Sequence, residues 1–333
     1  MNRRFVGLVA LAIAAASLVA GCGSSSPATT PPPTKVTVVL DWTPNTNHLG
    51  LYLAKQKGYY AAAGLDVNIV EPDQNGALAQ MAAGNAQFGI SAAEQLIAAR
   101  AQGTKITSIA TIMQTNTSSL IAPADRTIRR PRDLAGHTYG GFGGELEHAL
   151  VDTLVRCDGG DPSTVRYAEV GNVDYSVGFK KHHYDAVWVF DGWDTIRMRD
   201  LQKMAVTTIP FRDHLDCIPD WYTPIIVARN DVIADNPKLV SAFLAATAKG
   251  YQDMHAHPAA SATAVAATIS GTDPELWRRS ALFMAPFLDD RAGRWGVQDP
   301  AIWSAFNTFL HEHKLASVND PSTLFTNAFL PAP

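Results

Sequence analysis

The chain has 333 residues, 47% of them hydrophobic and 17% charged, and its 31 acidic against 27 basic side chains leave a formal net charge of -4. No basic excess marks a nucleic-acid partner. Beyond the first residues no apolar run is long enough to cross a bilayer, and about 300 residues remain there, enough for one large or two medium domains with real cores.

Met1 to Cys22 reads as an export signal: Arg3 and Arg4 form a basic start, Phe5 to Val19 an apolar core, and Leu18-Val19-Ala20-Gly21-Cys22 a small-residue cleavage site ending in cysteine. The pattern resembles bacterial lipoprotein signals. That implies removal of residues 1–21 and diacylation of Cys22, the lipid holding the protein on the outer face of the cell membrane. A plain secretory signal with an incidental Cys22 is the alternative. Residues 22–34, rich in Ser, Thr and Pro, predict a flexible tether.

Val36–Leu40 is a short β-branched, apolar run that predicts a buried strand, and a helix follows it to Gly58. Strand and helix signals then alternate: Val67–Val70, a helix from Asn75 to Gly84, Phe88–Ile90, a helix from Ala92 to Gln102, and Ile106–Met113. This βαβαβ rhythm predicts a parallel sheet with crossover helices. After the extended run Leu120–Pro123 a second set begins: Thr138–Gly140, a helix from Glu145 to Arg156, Val165–Ala168, a helix around Val177, Ala186–Phe190 and a helix from Trp193. Tyr222–Ala228 reads as extended, and the pattern from Asp231 onward is helical, with Pro237 and Pro274 near helix starts. Two α/β halves and a helical return predict two lobes: residues 35–122 with 225–333, and residues 123–224. The two crossings make a hinge that can close on a small molecule. A single continuous sheet is the alternative.

Polar and aromatic residues collect where strands end, the usual ligand side of an open α/β sheet. After the first strand, Trp42 offers a stacking face, and Asn45 and His48 offer donors and acceptors for a heterocycle. Asn45 could equally cap the next helix, and His48 could be a core histidine. No second ligand at suitable spacing supports a metal. In Tyr139–Gly144, the glycines Gly141 and Gly144 let backbone approach a ligand, Phe142 adds an aromatic face, and Glu145 either complements the helix dipole or accepts from a ligand amine. Trp188 and Phe190 share one strand face, with Asp191 and Trp193 following, a set that suits a flat, nitrogen-rich ring. In the competing reading Trp188 and Phe190 are core and Asp191 a cap, and this is expected of at least one aromatic. Tyr222 precedes the second crossing and is a further candidate. Cys157 and Cys217 remain as a pair; a disulfide and two separate thiols both stay open. No GxSxG or HExxH motif supports hydrolysis.

Four stretches together resemble one family: Leu40–Val67, Leu134–Glu147, Tyr184–Asp194 and Phe325–Pro331 are similar to the thiamine-precursor branch of ABC-importer substrate-binding proteins, grouped with the yeast-type pyrimidine-precursor synthases (NMT1/THI5-like). The resemblance implies a two-lobed periplasmic binding protein-like α/β fold (type II) with two hinge crossings. It also implies a monomeric receptor for an aminopyrimidine such as formylaminopyrimidine, with a permease and an ATPase subunit as partners. In the synthases a helix carries a lysine that binds pyridoxal phosphate and, four residues on, a histidine. Those positions fall on Ser91 and Gln95, which can form neither the imine nor the base, so the resemblance implies a binding protein with no cofactor and no catalysis, Ser91 lining the ligand site. A riboflavin or alkylsulfonate receptor is the rival reading within transport. Residues 41–48 and 139–145 contain no Arg or Lys, which speaks against an anion.

Overall fold

A computed structural model describes residues 32–171, 173–290 and 293–332; the expected signal, Cys22 and the tether through Pro31 lie outside them. Among the described residues, ten strands form two five-stranded sheets. In the first, β1 (Thr34–Val39) pairs in parallel with β2 (Leu65–Val70) and β3 (Phe88–Ser91), while β4 (Ile106–Thr111) closes the far edge. The second holds β5 (Ser118–Pro123), β6 (Thr138–Gly141), β7 (Arg166–Glu169), β8 (Ala186–Phe190) and β9 (Val206–Pro210) in the order β7-β6-β8-β5-β9. The last strand, β10 (Ile225–Arg229), returns to the first sheet between β3 and β4.

Neither sheet is wholly parallel, which corrects the expectation drawn from the βαβ rhythm. β10 runs antiparallel to both neighbours, and β5 runs antiparallel to β8 and β9. Each is the first strand after a change of sheet. A chain arriving from the other sheet enters at the carboxyl ends of the strands already there and must run back along them. The changes of sheet fall between Thr111 and Ser118, earlier than the crossing expected near residue 122, and between Pro210 and Ile225. Two sheets also replace the single continuous one.

Register then fixes where a site can form. Ser118 pairs with Phe190 at the end of β8, and Ile225 pairs with both Ser91 at the end of β3 and Thr111 at the end of β4. Both crossover segments therefore leave and arrive at the carboxyl ends of the strands, where Asp41, Ser91, Gly141 and Phe190 also stand. Asp220 clasps one crossover to the other: its carboxylate accepts from the Thr115 hydroxyl at 2.6 Å, the Asn116 amide at 2.9 Å and the Trp221 amide at 2.9 Å. Cys157, at the end of the helix Glu145–Cys157, is bonded to Cys217 in the second crossover, the Cα atoms 5.7 Å apart; the pair left open by spacing is a disulfide.

Around the first sheet, Val36, Val38, Phe88 and Ile90 pack beneath helices Leu49–Gln56 and Pro237–Ala256. These two helices touch backbone to backbone, because a Cβ on Gly250 would overlap the Gly50 carbonyl and one on Gly50 would enter the Tyr251 ring. Pro237, Pro258 and Pro274 each open a helix of the C-terminal return. A second core runs from Leu120, Tyr139 and Leu150 through Trp221 to Trp303 and Phe306. The segment after β8 is wound as π-helix over Asp191–Thr195 and Arg197–Leu201, and it packs on the helix Pro274–Met284 with Gly192 against Phe283 and Met284. Among the described residues no helix is long and apolar enough to cross a membrane.

Candidate functional site

The loop after β1 holds itself together. Asn45 caps the turn Thr46–His48: its side-chain oxygen accepts from the Asn47 amide at 2.9 Å and its NH2 donates to the Thr43 carbonyl at 3.0 Å. The Asn45 amide donates to His48 Nδ1 at 3.3 Å, so the neutral ring carries its proton on Nε2, which donates to Asp41 at 2.7 Å. His48 is fully buried. Of the two readings open for each residue, the structure shows Asn45 capping the turn and His48 packed in the core, with these hydrogen bonds made inside the loop. What the loop presents outward is Trp42, 39% exposed.

In the second sheet Gly141 is buried, and a Cβ there would strike the Glu147 carboxylate and the Tyr139 ring. Glu147, not Glu145, is the buried acid of this turn. It accepts from the Tyr139 hydroxyl at 2.8 Å, the Phe142 amide at 2.7 Å and the Gly144 amide at 3.3 Å. The amides expected to face a ligand are thus held by the protein's own carboxylate, as in a capping box. Glu145 is exposed, and Phe142 stands out from the turn at 57% exposure.

At the end of β8 the aromatic pair divides, as the competing reading allowed. Trp188 packs inward, edge-on to Trp221 at 5.9 Å and tilted on Phe211 at 5.4 Å, while Phe190 is 39% exposed. Asp191 is buried and accepts from Ser119 at 2.6 Å and Thr195 at 2.8 Å, with the Arg212 guanidinium 3.5 Å away. Burial pushes its pKa up, opposed by those two hydroxyls and by Arg212. Arg212 escaped notice in the sequence, where nothing ties it to Asp191. Trp193 lies edge-on to Trp277 at 6.4 Å beneath the Arg197 guanidinium. Tyr222, expected to face the ligand, is core: it is 1% exposed, tilted against Trp303, and its hydroxyl accepts from the Asp299 amide at 2.7 Å. Ser91 is buried and donates to Gln95 at 3.2 Å.

Among the described residues, buried side-chain polar atoms without hydrogen-bond partners occur in the C-terminal return, at Trp295, Gln298 and Trp303, and as a group at the crossovers and adjoining strand ends. That group includes Glu94 Oε2, Gln114 Nε2, Asn116 Nδ2, Ser118 Oγ, Trp188 Nε1 and Trp221 Nε1. Glu94 sits in the first turn of the helix Ala93–Ala101, directly after β3. Burial pushes its pKa up to about 7; its own backbone amide and the Trp221 indole pull it down, and Asp41 raises it further. An acid in a helix's first turn is ordinary dipole chemistry in a sequence, so no signal separated Glu94 from Glu145 or Glu147. Among the described residues, the one cluster with metal-ligand spacing is Cys157, Asp216 and Cys217, and its sulfurs are consumed by the disulfide. Cavities of about 300 and 440 Å³ open elsewhere, one beside Lys35 and Arg229, the other beside Phe179 and Met204.

A family profile described as NMT1/THI5 like matches residues 45–261. The formylaminopyrimidine-binding protein of Halalkalibacterium halodurans is 25% identical over 84% of this chain and 85% of its own length. The 4-amino-5-hydroxymethyl-2-methylpyrimidine phosphate synthase of Legionella pneumophila is 27% identical over 65% of this chain and 68% of its own. The periplasmic aliphatic sulphonate binding protein SsuA of Escherichia coli superposes with a TM-score of 0.70 at 16% identity, covering 89% of this chain and 99% of that one. With both sheets, their crossovers and the family profile in agreement, this chain belongs to the NMT1/THI5-like family and has the periplasmic binding protein fold.

Proposed function

We propose that the protein is the solute receptor of an ABC importer and that it binds an aminopyrimidine precursor of thiamine between two lobes hinged at residues 112–117 and 211–224. The observation that carries this reading is the set of unpartnered buried donors and acceptors at the crossovers, on the same carboxyl-end side of the strands that leaves the rings of Trp42, Phe142 and Phe190 exposed. Buried polar atoms are rarely left unmatched unless something else supplies the partner. A flat heterocycle does so while stacking on the rings, each stack contributing about 0.5–1.5 kcal/mol. Similarity to a formylaminopyrimidine-binding protein supports the choice of ligand.

A synthase of the pyridoxal-phosphate type needs a primary amine where this chain has Ser91, whose hydroxyl is turned to Gln95. The reading includes lipid attachment at Cys22, which mass spectrometry of the membrane-extracted protein tests directly, and docking on a permease with its ATPase. Arg212, whose Nη1 is buried without a hydrogen bond, favours a second reading, an alkylsulfonate receptor, while Asp191 at 3.5 Å supplies a counter-charge that weakens its pull on an anion. Isothermal titration with formylaminopyrimidine, and separately with an alkylsulfonate, decides between them. Saturable one-to-one binding of the pyrimidine alone is the expected result, and binding of the sulfonate alone overturns the assignment.

A further inference from the structure

We propose that Glu94, backed by Trp221, is the group that reads the amino edge of the bound heterocycle, forming paired hydrogen bonds to a ring nitrogen and the neighbouring exocyclic amine. This rests on the aminopyrimidine reading and goes beyond it by assigning the edge to one side chain. The acids near the strand ends divide by what holds them. Asp191 is engaged by Ser119, Thr195 and Arg212, Asp194 by the Phe190 backbone and the Arg197 charge, Glu147 by Tyr139 and two backbone amides, Asp220 by Thr115, Asn116 and Trp221, and Asp41 by His48. Among the described residues, Glu94 is the one carboxylate with a buried oxygen that has no hydrogen-bond partner.

The Trp221 indole stands beside it without its N–H being aligned on a carboxyl oxygen, so Trp221 Nε1 is unmatched as well. Trp221 itself is fixed, stacked on Phe306 at 5.0 Å and crossed by Trp188. The result is a carboxyl group just past the end of β3, with the Trp221 indole beside it and one buried oxygen unmatched.

An aminopyrimidine edge presents an acceptor next to a donor. A protonated carboxyl group presents the complement, its O–H donating to the ring nitrogen and its carbonyl accepting from the amine. A carboxylate reaches the same pairing only if the ring nitrogen is protonated instead. Either way the complex holds one shared proton, so affinity falls as pH rises past the point where neither partner keeps it. The charged group whose field reaches Glu94 is Asp41, itself paired with His48 on the β1 loop; the second crossover contributes neutral Trp221.

The test is calorimetric titration of the full chain and its Glu94→Ala and Glu94→Gln variants with 4-amino-5-hydroxymethyl-2-methylpyrimidine and with the analogue carrying methyl in place of the 4-amino group. Wild type is expected to prefer the amino compound by about 10- to 100-fold, the range for a hydrogen bond to an ionisable group. Glu94→Ala is expected to lose most of that preference. Glu94→Gln keeps a donor next to an acceptor, so it should hold wild-type affinity within about threefold at neutral pH and lose the decline seen in wild type up to pH 8.5. An amino-over-methyl preference unchanged in Glu94→Ala, or wild-type affinity flat across that pH range, overturns the assignment to Glu94 alone. If wild type binds neither compound nor formylaminopyrimidine, the aminopyrimidine reading falls and takes this inference with it.

Discussion

In the loop after β1, the Asn45 amide, both ring nitrogens of His48 and an oxygen of Asp41 all satisfy one another. Where the crossovers meet the strand ends, Glu94, Gln114, Asn116 and Trp221 each leave a buried polar atom unmatched. The two regions are similarly rich in side chains that could bind a heterocycle, and the first is the more conspicuous in the sequence. The difference separates scaffold from site. A closed network of short hydrogen bonds strengthens itself and rigidifies the loop, whereas unmatched groups raise the energy of the empty protein and lower it again when a ligand arrives. Substitutions in the two regions should therefore move the stability of the ligand-free protein in opposite directions.

The largest effect should come from the tie on the second crossover. Cys157 and Cys217 are 60 positions apart, and a loop of that size contributes about 4 kcal/mol by restricting the unfolded chain. The Cys157→Ser/Cys217→Ser double variant should lose most of this in urea unfolding. Its affinity should also weaken if the crossover must be held in place for the unmatched groups to face a ligand. Unchanged unfolding would show that this anchor is dispensable.

Replacing Glu94 by Gln should stabilise the empty protein, an uncommon sign for a half-buried residue whose carboxyl oxygen is out of solvent. The carboxyl pKa is raised from 4.5 to about 7 by burial. The folded protein thus keeps a proton where the unfolded chain has lost it. The stability contributed by this group is complete below pH 4.5 and is lost as pH rises to about 7, a difference of up to about 3 kcal/mol. Glu94→Gln should match wild type in acid and exceed it in thermal unfolding at pH 8. Equal stability at both pH values would mean that the carboxyl group is better solvated than its surroundings suggest.

Much of the fold was legible because its cause is local. The valines of β1, the glycines that end β6 and the prolines at helix starts act within a few residues of themselves. Strand direction is not local: nothing in Ile225–Arg229 says that it will enter between β3 and β4 and run backward, since that follows from which sheet the chain has just left. The strand Val206–Pro210 was missed because five residues ending in proline carry too little alternation to count. Site residues failed in the same way. Trp221 and Tyr222 are adjacent and both aromatic, yet one adjoins Glu94 and the other is sealed against Trp303 and Asp299. The exposure of Trp42, Phe142 and Phe190 was readable, because an aromatic at or just past a strand end has few places to hide.

His48→Ala should cost about 2 kcal/mol, from two lost hydrogen bonds and a cavity at a fully buried position. Affinity measured where the variant is fully folded should change little. A large loss of affinity with little loss of stability would return His48 to the site and reverse the division drawn between the two regions.

Phe142 gives the smallest effect on stability and the clearest separation of stability from binding. At 57% exposure its ring contributes little to the core, and its backbone amide, the part held by Glu147, survives any substitution but proline. Phe142→Ala should therefore unfold within about 0.5 kcal/mol of wild type. If its ring closes over a stacked heterocycle, affinity should fall by about 0.5–1.5 kcal/mol, and Phe142→Trp should restore it because the stacking face is kept. Phe142→Leu, which keeps bulk but not the face, discriminates stacking from mere exclusion of water. Wild-type affinity in Phe142→Leu would assign the ring to excluding water, whereas a loss matching that of Phe142→Ala would assign it to the ligand's flat face.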